Sequence, residues 1–161
     1  MQRLCTAILV MLGFAHPALA LSCLKPDAVR SYIEANASED RWGAVVGRLD
    51  FDESRLPPAV SDGGHDDVEL RAQLVGNSLG VDGFEDAFQG HVTLRIQCFG
   101  SWCGHPDSGR QYLVFIKREN GRHIAISDPC ESWLFPEPRR KTLDALQRCF
   151  RGGYCQPEDD D

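Results

Sequence analysis

The sequence has no excess of positive charge: 17 lysines and arginines face 24 aspartates and glutamates, giving a net charge of −7 at neutral pH. Nucleic acids and anionic membrane surfaces both require a basic protein face, so we predict neither as a partner. The apolar run near the start of the chain is too short for a membrane anchor and no other run would cross a bilayer, so no membrane span is predicted. Neither H-x-x-x-H nor C-x-x-C occurs, and we predict no metal and no cofactor.

The first twenty residues have the pattern of a secretory signal peptide. Arg3 precedes an apolar run over 7–14, and the small-residue pattern Ala18-Leu19-Ala20 follows it. Removing this segment takes away Cys5 and leaves 16 basic residues against 24 acidic ones, a charge of −8. We therefore expect a mature protein that is secreted or periplasmic.

Six cysteines remain in the mature chain, and an even number in an exported protein indicates three disulfides. They are Cys23, Cys98, Cys103, Cys130, Cys149 and Cys155. Six cysteines allow fifteen pairings. The spacing suggests a local pair between Cys149 and Cys155. Cys98 could also bridge Cys103, although Cys23 competes as a partner for either of them.

Alternation of apolar and polar residues with period two predicts half-buried strands, and one continuously apolar segment predicts a central strand. The predicted strands are 44–51, 68–74, 91–98, 112–116, 123–127 and 132–135. Helices are predicted over 26–37 and from Pro138 to the stop at Gly152-Gly153. The glycine-rich and acidic segment 76–90 is predicted to be a long loop between the second and third strands.

This order of elements predicts one mainly β domain over 21–155, followed by an acidic disordered tail over 156–161. Five or more antiparallel-looking strands, a helix at each end and no βαβ rhythm favour a small closed barrel or a sandwich.

The segment 91–130 carries a family pattern. A strand ends at Cys98, then come Cys103-Gly104, a polar turn ending at Gly109, an apolar strand, a hairpin and Cys130. It resembles the netrin-module or TIMP-like OB-fold of secreted proteins, including uncharacterised exported bacterial ones. The resemblance implies a five-stranded Greek-key barrel with helices packed alongside, and a role as a binding module. It also implies that Cys23 ties the N-terminal segment to the barrel through Cys98 or Cys103.

Metalloprotease inhibitors of this family chelate the catalytic zinc of their target through an N-terminal cysteine. Cys23 would take that position only if the leader is cut after Ser22. Leu24 and Lys25 then follow, where the inhibitors have a small residue and a second cysteine. Protease inhibition is therefore kept as an alternative function.

Two short motifs point towards catalysis without the context that it needs. Trp102-Cys103-Gly104-His105 has Pro106 where a redox site requires its second thiol. Gly76-Asn77-Ser78-Leu79-Gly80 matches G-x-S-x-G but is followed by another glycine turn instead of a helix. We predict no catalytic residues and no enzyme activity.

The leading interpretation is an exported, non-catalytic and monomeric binding module for an unknown protein or small molecule. OB-folds bind along their second and third strands and the adjoining loops, which selects Arg71, Phe84 and Arg95 as contact residues. The rival interpretation is a small secreted enzyme or metal-binding protein using His65, Asp66 and Asp67. A catalytic site of that kind would also draw on His105.

Overall fold

The computed structural model describes residues 21–61 and 63–157. The predicted signal peptide and residues 158–161 of the predicted tail lie outside this part of the chain. Helices α1 and α2 span Ala28–Ala37 and Arg140–Phe150. The strands are β1 Arg41–Phe51, β2 Val68–Gly80, β3 Gly83–Ile96, β4 Cys98–Phe99, β5 Trp102–Cys103, β6 Arg110–Glu119, β7 Arg122–Ser127 and β8 Leu134–Pro136. The predicted mainly β class with a helix at each end is confirmed.

Five of the strands close into a barrel-like ring. β1 pairs with β2, β2 with β3, β3 with β7, β7 with β6, and β6 pairs back with β1. β8 adds to β6 outside this ring, and β4 pairs with β5 in a separate short hairpin. The β3–β7 pair is parallel, whereas the sequence patterns suggested antiparallel strands throughout.

The ring has a hydrophobic core on each side of its wall. Strand residues alternate between the two sides, as the period-two pattern requires. The inner core contains Val45, Leu49, Leu70, Leu74, Val92, Leu94, Ile96, Val114, Ile116 and Ala125. The outer core lies between the ring and the two helices and contains Val29, Ala35, Ala44, Leu113, Phe115, Phe135 and Leu146. The helices therefore cover one outer face of the barrel and leave the rest of the wall to solvent.

The predicted loop over 76–90 is wrong. β2 and β3 continue through this segment as one long hairpin with a two-residue turn at Val81-Asp82. Gly76 crosses β1 so closely that a Cβ atom there would lie 2.0 Å from the Val46 carbonyl oxygen. The glycines therefore permit a close strand crossing, which local sequence does not distinguish from a turn.

Three disulfides form within the chain, as predicted, and they are compatible with an extracellular protein. The two local pairs, Cys98–Cys103 and Cys149–Cys155, are both present. The pairing that the resemblance implied for Cys23 is wrong, because Cys23 bonds to Cys130. The β4–β5 hairpin places Cys98 directly opposite Cys103, so both are already used.

The N-terminal segment instead runs beside the connection between β7 and β8. Ser31 in α1 donates a hydrogen bond to the Ser132 carbonyl oxygen at 2.5 Å, next to the Cys23–Cys130 bridge. Asp27 caps α1 by accepting from the backbone N–H of Val29 at 2.7 Å. In the described part of the chain, neither helix is long and apolar enough to span a bilayer.

Candidate functional site

A cleft of about 480 Å³ opens between α1 and the N-terminal end of β1. It is lined by four aromatic side chains, Tyr32, Trp42, Phe115 and Phe150. Aliphatic residues and a few polar side chains at the rim complete its wall. We call it the aromatic cleft. Its volume and its mostly apolar lining fall in the range of pockets that hold small ligands or partner side chains.

The aromatic walls are held in place by packing. Trp42 stacks on Trp133 with ring centroids 4.5 Å apart, and Phe115 meets Trp133 edge-on at 6.0 Å. Burial raises the pKa of the Tyr32 phenol. The indole Nε1 of Trp42 is buried and has no hydrogen-bond partner among the described residues. Such an unpaired buried donor costs on the order of 1–3 kcal/mol, which a nearby acceptor would recover.

One wall of the cleft is a free strand edge. β1 pairs with β6 from Arg41 onward but with β2 only from Val45 onward. The register of β2 with β3 shifts between Ser78 and Leu79, a bulge that lies where the pairing of β2 with β1 ends. Within the described residues, 41–44 therefore have no ladder partner on the β2 side, and the aromatic cleft lies along this edge.

A row of basic residues crosses the sheet, beginning at Arg41 in the lining of the cleft. Arg41 lies directly opposite Arg118 on β6, which lies directly opposite His123 on β7. We call these three residues the basic row. Within the described residues, no carboxylate forms an ion pair with Arg41 or Arg118. The like charges of Arg41 and Arg118 lie directly opposite each other, which destabilises a sheet, so these two arginines favour an anionic partner.

The predicted contact residues on β2 and β3 divide between two sites. Arg71 lines a groove of about 460 Å³ between β3 and the β6–β7 turn, together with His91, Arg122 and His123. Its Nε lies 3.5 Å from the His91 Nδ1, at the limit of a hydrogen bond. Ion pairs dominate the neighbouring surface.

Arg95 is held by two glutamates. Its Nη2 atom lies 2.8 Å from Glu69 Oε1 and 3.2 Å from Glu119 Oε1. Hydrogen bonds from Arg95 are the main cause that lowers the pKa of both carboxyl groups. Arg122 also reaches Glu69, at 2.9 Å. These charges are therefore largely neutralised within the protein.

Phe84 lies away from both arginines, near the tip of the β2–β3 hairpin. It packs against the outer core and lines a small groove with Arg140, Leu143 and Gln147 of α2. Phe84 and Arg95 are eleven positions apart on β3, or about 35 Å along the strand at the usual rise. The structure does not bring the three predicted contact residues together.

The residues of the rival interpretation lie on the loop before β2. His65, Asp66 and Asp67 are exposed, and Asp67 Oδ1 accepts a hydrogen bond from the Cys98 backbone N–H at 3.0 Å. His105 does not join them: it lines a groove of about 240 Å³ that includes none of these three residues. No group of three or more histidine, cysteine, aspartate or glutamate side chains within the described residues could hold a metal ion.

Sequence reasoning missed the aromatic cleft. The only local signal for the cleft is the pair Arg41 and Trp42, which stand next to each other where β1 begins. No local pattern shows that β2 leaves β1 at that point. In comparisons with known proteins, no family model matches the chain, and neither does any curated protein or solved structure.

Proposed function

We propose that this chain is an exported, non-catalytic binding module with an OB-fold-like barrel, and that it binds its ligand in the aromatic cleft. The order of strands around the ring supports the barrel assignment, because four antiparallel pairs and one parallel pair close five strands on themselves. The relation to netrin-module proteins rests on the pattern over 91–130. The Cys23–Cys130 pairing departs from what that relation implies.

The aromatic cleft carries the proposal. Rigid rings supply a large contact area at a low cost in side-chain entropy, and four of them converge there. On the β2–β3 face, by contrast, the charges of Arg95, Glu69 and Glu119 satisfy one another. A ligand for that face would have to replace existing ion pairs, whereas a ligand for the cleft would cover apolar surface that is exposed to water.

Phe150 indicates what kind of group the cleft accepts. It closes the α2 side of the cleft and is 42% exposed, so part of its ring is available for contact. Burying an aromatic or aliphatic side chain typically gains about 1.5–3 kcal/mol. The ligand is therefore one that presents an apolar group, either a small molecule or a side chain of a protein.

The test is a titration with the neutral apolar fluorophore N-phenyl-1-naphthylamine. We expect Phe150→Ala to weaken binding about tenfold, the equivalent of a loss near 1.4 kcal/mol for one aromatic wall. Phe99→Ala is the matched control, because Phe99 is also 42% exposed but lies on the β4–β5 hairpin, outside the cleft. Equal weakening in the two variants, or no binding by the wild type, would contradict the proposal.

A further inference from the structure

The free edge of β1 is long enough to accept another strand. Four residues, Arg41 to Ala44, span about 13 Å of edge, and half of their backbone N–H and C=O groups point towards the cleft side. The far wall of the cleft is helix α1, through Tyr32 and Ala35. A groove between a strand edge and a helix offers an extended peptide both a hydrogen-bonding ladder and side-chain pockets.

The two sides of this edge differ in chemistry. Trp42 and Ala44 face the outer core beneath α1, where the aromatic cleft lies. Arg41 and Gly43 alternate with them and so point to the other face, which carries the basic row. Gly43 leaves open space there, because a Cβ atom built on it would have nothing within 4 Å.

We infer that the aromatic cleft receives an extended polypeptide segment that pairs with the β1 edge at 41–44 and has alternating apolar and acidic side chains. This inference rests on the proposed function of the cleft. Directly opposite residues of paired strands share a face. The apolar side chains would then enter the cleft beside Trp42. The acidic ones would lie beside Arg41, on the same face as Arg118, which is one strand further away on β6.

Charge complementarity identifies the partner as a different protein rather than a second copy of this chain. Two copies joined edge to edge by a two-fold axis would place the same patch against itself. Arg41 and Arg118 of each copy would then face those of the other copy, with like charges opposed. An acidic segment instead neutralises two arginines that have no ion-pair partner within the described residues.

The probe is a blocked hexapeptide in which glutamate alternates with valine. Its binding is followed by NMR shifts of the backbone amides and by isothermal titration calorimetry. We expect the largest amide shifts at residues 41–44. Two further peptides are methylated on the backbone nitrogens: the first at every glutamate and the second at every valine. One of these must lose binding, because methylation removes the donors that form the ladder. A peptide with three glutamates followed by three valines controls for composition.

Charge reversal on the protein tests the acidic contact. Arg41→Glu and Arg118→Glu, both at exposed positions, should each weaken the alternating peptide at least tenfold. Arg55→Glu is the matched control, since Arg55 is an exposed arginine in the short helical turn Glu53–Arg55, after the opposite end of β1. It should change affinity less than twofold.

Several results would overturn the inference. The first is that the peptide with three glutamates followed by three valines binds as tightly as the alternating one. The second is that both N-methylated peptides bind equally well, and the third is that the amide shifts are confined to the β2–β3 face. The fourth is a dimer, seen in sedimentation, that Arg41→Glu dissociates. If N-phenyl-1-naphthylamine still binds in a manner that depends on Phe150 while the hexapeptide does not bind, the inferred peptide partner is refuted and the cleft remains the proposed binding site. If the fluorophore also fails, the proposed function falls with it.

Discussion

The Cys23–Cys130 disulfide should be the most stabilising of the three, because it closes the longest loop. Its cysteines are 107 residues apart in sequence, against 6 for Cys149–Cys155. In the chain-entropy model, these separations correspond to about 4.8 and about 2.2 kcal/mol of stabilisation at 25 °C. Replacing both cysteines of each pair by alanine should therefore cost about 2.6 kcal/mol more for the long-range bridge.

The assay is equilibrium urea unfolding of the wild type and the two double variants under non-reducing conditions, with midpoints and slopes fitted together. Cys149 is buried, whereas Cys23 is exposed, so alanine at Cys149 adds a packing cost to the control variant. This difference works against the expected order. A larger loss in the Cys23→Ala/Cys130→Ala variant would thus be strong support for the loop-length argument.

The same variant tests how α1 is held against the barrel. The bridge lies next to the contact between Ser31 and Ser132, and α1 supplies Tyr32 to the aromatic cleft. We expect weaker N-phenyl-1-naphthylamine binding in this variant under conditions where the barrel remains folded. The reasoning is refuted if the control variant loses as much stability as the Cys23→Ala/Cys130→Ala variant, or more.

Two further predictions concern the barrel itself. Gly76→Ala should destabilise by about 3 kcal/mol or more in urea unfolding, since its Cβ would lie 2.0 Å from a backbone oxygen of β1. Gly43→Ala, with open space, should change stability by less than about 1 kcal/mol, and equal effects would contradict the crossing argument. Arg95→Gln should raise the pKa of Glu119 towards 4.5, and that of Glu69 part of the way, in a carboxyl NMR titration. Because both pKa values are lowered in the folded protein, their contribution to stability is present above about pH 4.5 and is lost as the pH falls through the folded values. The variant should lose less stability over that acidic range, and unchanged glutamate pKa values would count against the ion-pair network.

Local sequence was sufficient to predict those features that depend only on residues close together in the chain. Alternating apolar residues predicted the strands around Val68–Leu74 and 91–96, because burial on one side of a sheet requires period two. Cys149 and Cys155 could be paired from their spacing, since a short separation keeps two sulfurs within reach. The first helix followed from Pro26 and the one-sided spacing of the residues after it, and the second from Pro138 and the Gly152-Gly153 stop.

The long β2–β3 hairpin could not be predicted in the same way. Gly76 and Gly90 look like loop residues in the sequence. The close approach of β1 explains Gly76, because a side chain there would collide with the neighbouring backbone. β1 lies about thirty residues away in sequence, so no local window contains the reason.

What the sequence alone determined is a mainly β, three-disulfide domain with a helix at each end, because these properties follow from periodicity and residue counts. The tertiary structure decided that Cys23 bonds to Cys130 and that Phe84 lies far from Arg95. It also decided that residues 41–44 border an aromatic cleft. Each of these depends on which distant strands become neighbours when the ring closes, and that choice is made by the packing of the whole chain.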